Sequence, residues 1–288
     1  MCRFLAYKGQ PIFLADLLTR AEQSLIRQSF QAREREEPLN GDGFGVGWYA
    51  KEIDSTPCVF TSIQPAWANR NLRRLADKVR STCIFAHVRA ASPGMPVTEL
   101  NCHPFLHGDF LWMHNGRVAG FKTIRRRLRQ HLDDEYYDLI QGTTDSEHVF
   151  GLFLNELNRY GDSHALESWR RAMERTIGLL EAWLADGGVS EASRLNLCVT
   201  DGNSLLATRY VTASDSQAET LYVTQGERFE VRNGQYRMLG DVHQVSTIII
   251  ASEPLTEDRS NWRPVPLNHS ISVSADMQVD IEPIVFEP

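Results

Sequence analysis

The strand-like segments of this chain come in blocks, early and late, with its strongest helical periodicity gathered between them. Residues 43–50, 58–63, 83–89 and 109–114 read as early strands, bounded by turn residues. Late in the chain, Arg194–Thr200 and 204–211 flank Asp201-Gly202-Asn203, and 229–232 and 235–239 flank Asn233-Gly234. Both are hairpin signals. Strands at 247–251, 270–273 and 278–284 finish the set. Helical spacing occupies 14–30, 71–80 and 121–132, and returns at Thr144. There Thr144 and Glu147 have capping-box spacing, and Val149, Phe153 and Leu157 repeat on one face. A longer stripe of Leu166, Trp169, Met173, Ile177, Leu180 and Leu184 stops at Gly187-Gly188. Strands arriving in blocks favour antiparallel sheets covered by helices over a βαβ array. No repeat, low-complexity tract or linker divides the 288 residues, so a single domain spanning 1–288 is expected.

A formal net charge of −7 argues against nucleic acid as the main partner. The basic clusters at 70–80 and 122–129 mix their charges with apolar residues at helical spacing, as solvated helix faces do. Five scattered cysteines form no disulfide framework, which fits a reducing cytoplasmic setting. No charged start leads into an apolar run, and no stretch approaches the roughly 20 residues of a membrane span. No G-x-G-x-x-G follows a strand, and Gly41-Asp42-Gly43-Phe44-Gly45 lacks a following helix pattern, so nucleotide binding is disfavoured.

Cys2 is the first residue with chemistry to offer. Once Met1 is removed, its thiol and a free α-amine share one residue. A model α-amine has a pKa of roughly 7.7–8.0 and a cysteine thiol about 8.5, so the neutral amine can take the thiol proton near neutral pH. A retained Met1 would tie that nitrogen up as a peptide. Cysteine is small enough at position 2 for methionine aminopeptidase to act, so removal is expected. Four further segments accompany it: Asn40-Gly41-Asp42-Gly43-Phe44-Gly45-Val46-Gly47-Trp48, His87-Val88-Arg89-Ala90-Ala91-Ser92, Trp112-Met113-His114-Asn115-Gly116 and Thr143-Thr144-Asp145-Ser146-Glu147. Singly, each has a structural explanation. His87 and His114 sit among apolar residues and read as core histidines, Asn115-Gly116 as a turn, and Asp145 as a helix-start residue.

Together and in this order, the five segments resemble the class II glutamine amidotransferases, a family of N-terminal-nucleophile hydrolases. Ala251-Ser252-Glu253-Pro254-Leu255 and Trp262-Arg263-Pro264-Val265-Pro266 look like its short stand-alone subgroup, which includes proteins of ergothioneine biosynthesis and glutathione breakdown. The resemblance implies an α+β fold, a four-layer αββα sandwich of antiparallel sheets, and an enzyme needing no cofactor or metal. It implies that Cys2 attacks the γ-carbonyl of glutamine or a γ-glutamyl compound, forming a thioester. Asn115 and Gly116 would form the oxyanion hole, Arg89 would hold the substrate α-carboxylate, and Asp145 its α-ammonium. The Asn40–Gly45 loop would support the nucleophile's amine through backbone carbonyls, and His103 would wall the pocket. Larger members fuse a second domain that uses the released ammonia; here late strands fill that space. The expected partner is thus a small-molecule substrate, with either outright hydrolysis or delivery of ammonia to a separate synthetase. Glutamine, γ-glutamylcysteine, glutathione and a γ-glutamyl histidine derivative all present the same glutamyl end.

A different class of reading gives Cys102, His103, His107 and His114 to a metal-binding or scaffold protein. Adjacent Cys102-His103 is poor geometry for one ion, and no C-x-x-C pair exists. A catalytically dead binding subunit is a third reading, opposed by the presence of every site residue.

Overall fold

The computed structural model describes residues 2–34, 39–92, 94–213, 218–240 and 244–286. The strands are β1 (Arg3–Phe13), β2 (Phe44–Trp48), β3 (Cys58–Ser62), β4 (Arg80–Val88), β5 (Phe105–His107), β6 (Phe110–Arg117), β7 (Arg194–Thr200) and β8 (Leu205–Arg209). They continue with β9 (Tyr222–Gly226), β10 (Arg228–Arg232), β11 (Gln235–Leu239), β12 (Thr247–Ala251), β13 (Arg263–Pro264), β14 (His269–Val273) and β15 (Val279–Pro283). The α-helices are α1 (Leu25–Gln28), α2 (Arg70–Ala76), α3 (Phe121–His131), α4 (Asp134–Leu139), α5 (Asp145–Leu157) and α6 (Leu166–Asp186).

Two antiparallel sheets carry the fold. One has the order β13-β9-β12-β1-β4-β2-β3, the other β15-β14-β8-β7-β6-β5. Three apolar clusters define the layers. Phe4, Ala6, Phe85, Leu111, Met113, Cys198, Ile248, Ile250 and Ile271 fill the space between the sheets. Trp112, Leu195, Leu197 and Val199 face outward from the second sheet onto α3, α5 and α6. Leu5, Tyr7, Val46, Ile84 and Ala86 face outward from the first sheet onto residues of α1, α2 and the β10–β11 hairpin. This is the expected αββα sandwich, with one outer layer built from short helices and a hairpin. Burying each large apolar side chain contributes about 1.5–3 kcal/mol, so the long stripe of α6 is ample anchorage.

Apolar spacing at 14–30 marks burial correctly but not a continuous helix. A π-helical turn, Asp16–Arg20, ends at Ala21, whose extended backbone (ψ 147°) breaks the run before α1 begins. Leu17, Leu18, Leu25 and Ile26 still reach the same outer core. The helix expected at 71–80 is α2, capped by Asn69, whose side chain accepts the Leu72 N–H at 2.8 Å. Arg80 already starts β4. Strands β1, β5, β9 and β13 and helix α4 are additions to the elements expected from the sequence pattern.

Strand alternation decides which side chains meet at the site. On β1, Phe4 and Ala6 face the inter-sheet space while Leu5 and Tyr7 face away, so Cys2 continues the inward row. On β4, Phe85 faces inward and Ala86 and Val88 outward, which puts His87 and Arg89 on the inward row. On β6, Leu111 and Met113 face inward, and Asn115 follows them. The register Phe4↔His87, Gly45↔His87 and Leu5↔Ala251 brings the start of β1, the ends of β4 and β12 and the start of β2 to one end of the sandwich.

Candidate active site

Cys2 stands at the head of β1, the central strand of its sheet, and is half-buried. Its Sγ lies 3.5 Å from the Ala90 N–H, which donates to it, and 3.7 Å from the Ala90 carbonyl. The same sulfur is placed to donate its thiol proton to that carbonyl. The Cys2 backbone is held by the next residue: Arg3 Nη1 donates to the Cys2 carbonyl at 3.0 Å, and Arg3 Nε pairs with Glu253 Oε1 at 2.7 Å in a fully buried ion pair. Glu253 also accepts the Arg33 N–H at 2.8 Å. Met1 lies outside the described residues.

Asn115 and Gly116 close β6. The Asn115 side chain is buried, and its Nδ2 lies 3.3 Å from Ser252 Oγ, which also accepts the Phe4 N–H at 3.0 Å. This one hydroxyl thus ties the end of β6 in one sheet to the head of β1 in the other. Gly116 is required by both conformation and space. Its φ is +148°, and a Cβ there would sit 1.9 Å from the Arg194 carbonyl oxygen. What reads as a turn in the sequence is instead the last paired segment of β6.

Arg89 is buried, with Nη1 donating to the Asp42 carbonyl at 3.4 Å and Nη2 to the Pro96 carbonyl at 3.3 Å. Among the described residues no carboxylate pairs with its guanidinium. Two carbonyls of the Asn40–Gly45 loop therefore serve Arg89, because Gly43 O also accepts the Arg89 N–H at 2.9 Å. The Asp42 carboxylate accepts the Ala91 N–H at 2.8 Å, fixing the turn that contacts Cys2. Asp145 opens α5. Its Oδ2 accepts the Val118 N–H at 2.7 Å, and its Oδ1 accepts the Ser146 N–H at 2.9 Å. Thr144 caps the helix as expected, accepting the Glu147 N–H at 3.2 Å. Glu147 does not complete the box; it accepts the Gln141 and Gly142 N–H groups at 2.9 and 2.7 Å.

Asn101, absent from the sequence-based candidates, joins the two substrate-binding ones. Its Nδ2 donates to the same Pro96 carbonyl that Arg89 uses, at 3.0 Å, and its Oδ1 accepts the Thr143 N–H at 2.9 Å, next to the α5 cap. Its only sequence signal is its place in Asn101-Cys102-His103-Pro104.

The histidines are structural supports. His114 Nε2 donates to the Arg194 carbonyl at 3.0 Å, leaving Nδ1 to accept from the Ser146 hydroxyl at 2.9 Å, so the β6 end is bound to the start of α5. His87 Nε2 reaches the His114 carbonyl at 3.3 Å, and burial drives its pKa down to about 3. The His103 ring is buried 4.1 Å from His87 and 4.6 Å from Phe105, so it lies inside the core rather than on an open pocket wall. Burial holds it neutral as well. Gly45 makes room for this segment, since a Cβ there would sit 2.1 Å from the His103 carbonyl oxygen. The Cys102 thiol is pushed up to about 11 by burial and has little thiolate to offer. Among the described residues no group of three or more His, Cys, Asp or Glu side chains could hold a metal ion. The cluster Cys102, His103, His107 and His114 is therefore dispersed: His107 pairs with Glu135 at 3.4 Å, while His114 serves Ser146.

Comparison with known proteins identifies the family and agrees with the fold. The chain is 41% identical, over its whole length and 85% of the relative, to "Probable glutamine amidotransferase DUG3" of Saccharomyces cerevisiae. It is 28% identical, over 99% of its length and all of the relative, to "Gamma-glutamyl-hercynylcysteine sulfoxide hydrolase" of Mycolicibacterium smegmatis. A solved glutamine aminotransferase class-II domain protein from Silicibacter pomeroyi superposes with a TM-score of 0.67 at 27% identity, covering 99% of this chain and all of that one. The glutamine phosphoribosylpyrophosphate amidotransferase of B. subtilis shares the fold at a TM-score of 0.61 and 14% identity, over 99% of this chain and 50% of that one. The sequence model of the class-II glutamine amidotransferases matches residues 16–275. With most of its length matched by that model, the chain belongs to the class-II glutamine amidotransferases.

Proposed function

We propose that this protein is an amidohydrolase that cleaves the γ-amide of glutamine or of a γ-glutamyl compound, using Cys2 as nucleophile, the whole chain acting as one amidotransferase domain. The observation that carries the reading is the convergence of Cys2, Arg89 and Asn115 on the inward rows at one end of the sandwich, with Asp145 bonded to Val118 just past β6.

With Met1 removed, the Cys2 α-amine takes the thiol proton and the sulfur bonds to the substrate γ-carbon. The carbonyl oxygen becomes an oxyanion that accepts from Asn115 Nδ2 and the Gly116 N–H. The ammonium returns its proton to the departing nitrogen as the C–N bond breaks, leaving a γ-glutamyl thioester. Water then attacks, the amine takes its proton, and collapse releases glutamate and the sulfur. Arg89 receives the α-carboxylate with its planar fork. Asp145 receives the α-ammonium. The Pro96–Asn101–Thr143 linkage supports a fixed distance between these two grips.

The relatives' names favour a γ-glutamyl compound over ammonia supply to a separate synthetase, since one of them is a γ-glutamyl hydrolase. The five cysteines are free, which suits a cytosolic protein, and among the described residues no helix is long and apolar enough to cross a membrane. Release of glutamate from glutamine, γ-glutamylcysteine, glutathione and a γ-glutamyl histidine derivative tests the reading. Wild-type protein should turn over at least one and Cys2→Ala none, with thermal stability little changed; full activity in Cys2→Ala overturns it.

A further inference from the structure

The Ala251-Ser252-Glu253 segment has no task in the reaction steps above, yet Ser252 sits at the centre of the site's bonding. It is fully buried. Its N–H donates to the Phe4 carbonyl at 3.0 Å, and its carbonyl accepts the Thr220 hydroxyl at 2.8 Å, so its backbone is fixed from two sides. Its Oγ accepts the Phe4 N–H at 3.0 Å and lies 3.3 Å from Asn115 Nδ2. With the Asn115 amide turned this way, two polar groups are left over among the described residues. Asn115 Oδ1 is buried with no partner, and the Ser252 hydroxyl proton has no acceptor.

A half-turn of the amide pairs the two. Ser252 Oγ–H then donates to Asn115 Oδ1 while its lone pair still takes the Phe4 N–H, and Nδ2 is released from Ser252. The orientation of a side-chain amide is set by its hydrogen-bond network, and buried acceptors are almost always paired. The orientation matters for chemistry. An amide that offers Nδ2 stabilises an oxyanion, and one that offers Oδ1 repels it. We propose that Ser252 is a positioning residue that selects the catalytic orientation of Asn115, by donating its hydroxyl proton to Asn115 Oδ1. The inference rests on the reading of Asn115 as an oxyanion donor. It also gives the nucleophile's strand and the oxyanion donor a common anchor, since the hydroxyl that orients Asn115 holds the N–H of Phe4, two residues from Cys2.

The test is a double-mutant cycle with steady-state kinetics on glutamine and γ-glutamyl-p-nitroanilide. Asn115→Ala should lower kcat by about 10²–10³-fold, the usual loss for one oxyanion donor. Ser252→Ala should lower kcat about tenfold, with KM within about twofold, because only the transition-state interaction is disturbed. The double variant should be no slower than Asn115→Ala alone, because Ser252 acts through Asn115. Should Ser252→Ala fail to fold, Ser252→Cys keeps the side-chain shape with a slightly larger atom and a weaker donor, and should cost at least about threefold in kcat. Losses that multiply in the double variant, or full kcat in Ser252→Ala or Ser252→Cys, overturn the positioning role and leave the reading of Asn115 standing. Full activity in Asn115→Ala would instead overturn the oxyanion reading itself.

Discussion

Replacing Gly116 with alanine separates conformational strain from close approach at the oxyanion strand. The new Cβ would lie 1.9 Å from the Arg194 carbonyl oxygen, 2.7 Å from its carbonyl carbon and 2.9 Å from His114 Nε2. Ordinary contact starts at 3.4 Å, so β6 and β7 must part or shift where Asn115↔Asn196, Gly116↔Leu195 and Arg117↔Arg194 are paired. An unfavourable φ costs of order 1–3 kcal/mol, and each lost ladder hydrogen bond about 1 kcal/mol, so the variant should lose about 3–5 kcal/mol. At about 2–4 °C per kcal/mol for a chain of this size, Tm should fall by roughly 10 °C. Gly188→Ala is the control, because Gly188 has φ +68° but a methyl group there would meet nothing within 4 Å; it should cost only about 1–2 kcal/mol. Urea unfolding of both variants, with glutamate release measured alongside, gives the comparison. If Gly116→Ala is as stable as Gly188→Ala and fully active, the packing argument for this strand is wrong.

Arg89→Lys should raise KM and lower kcat/KM by roughly 10–100-fold, since an ammonium cannot make the paired bonds of a guanidinium; unchanged kinetics would remove Arg89 from the substrate site. Asn101→Ala breaks the link between the Pro96 carbonyl and Thr143 and should weaken substrate binding without touching the chemical groups, visible as a higher KM at near-normal kcat. Stability should fall in acid. His87 and His148 are held by burial at pKa values of about 3 and about 4, so the unfolded chain takes up their protons first as pH drops below about 6.5. That stabilisation is complete above pH 6.5 and is lost toward the folded values, by about 3 kcal/mol per histidine at pH 4. Urea titrations at pH 7, 5 and 4 should show it, and His148→Gln should flatten the slope by up to about 1.4 kcal/mol per pH unit; an unaltered slope would show that His148 is not the group involved.

Much of the site is legible in the sequence because its residues are spaced by the strands that carry them. Arg89 and Asn115 fall at the ends of β4 and β6, in different sheets, which face-to-face packing of the sheets brings together, and the two hairpin turns and α6 follow local rules of turn and stripe. What stays hidden depends on tertiary contacts. β1 mixes Arg3, Lys8 and Gly9 with apolar residues, yet it is central, because Arg3 finds Glu253 and the Lys8 ammonium finds the carbonyls of Ser274 and Ala275. The 14–30 segment has helical spacing but bends at Ala21 to fit beneath its sheet. Asn101 and Ser252 lie in short segments that mark them for the eye but do not show what their side chains bind. Their importance lies in partners 42 and 137 positions away, at Thr143 and Asn115. His87 and His114 are the core residues their apolar neighbours suggest, whereas His103 is more deeply enclosed than a pocket wall.

The first residue of the working protein, and what its sulfur does, can be read in one experiment. Active enzyme treated with 6-diazo-5-oxo-L-norleucine and analysed by intact and peptide mass spectrometry should begin at Cys2, lack Met1, and carry one stoichiometric adduct on that sulfur, with loss of activity in proportion to labelling. Undiminished activity in protein that keeps Met1, or inactivation with the adduct on Cys102 or any other residue, would contradict it.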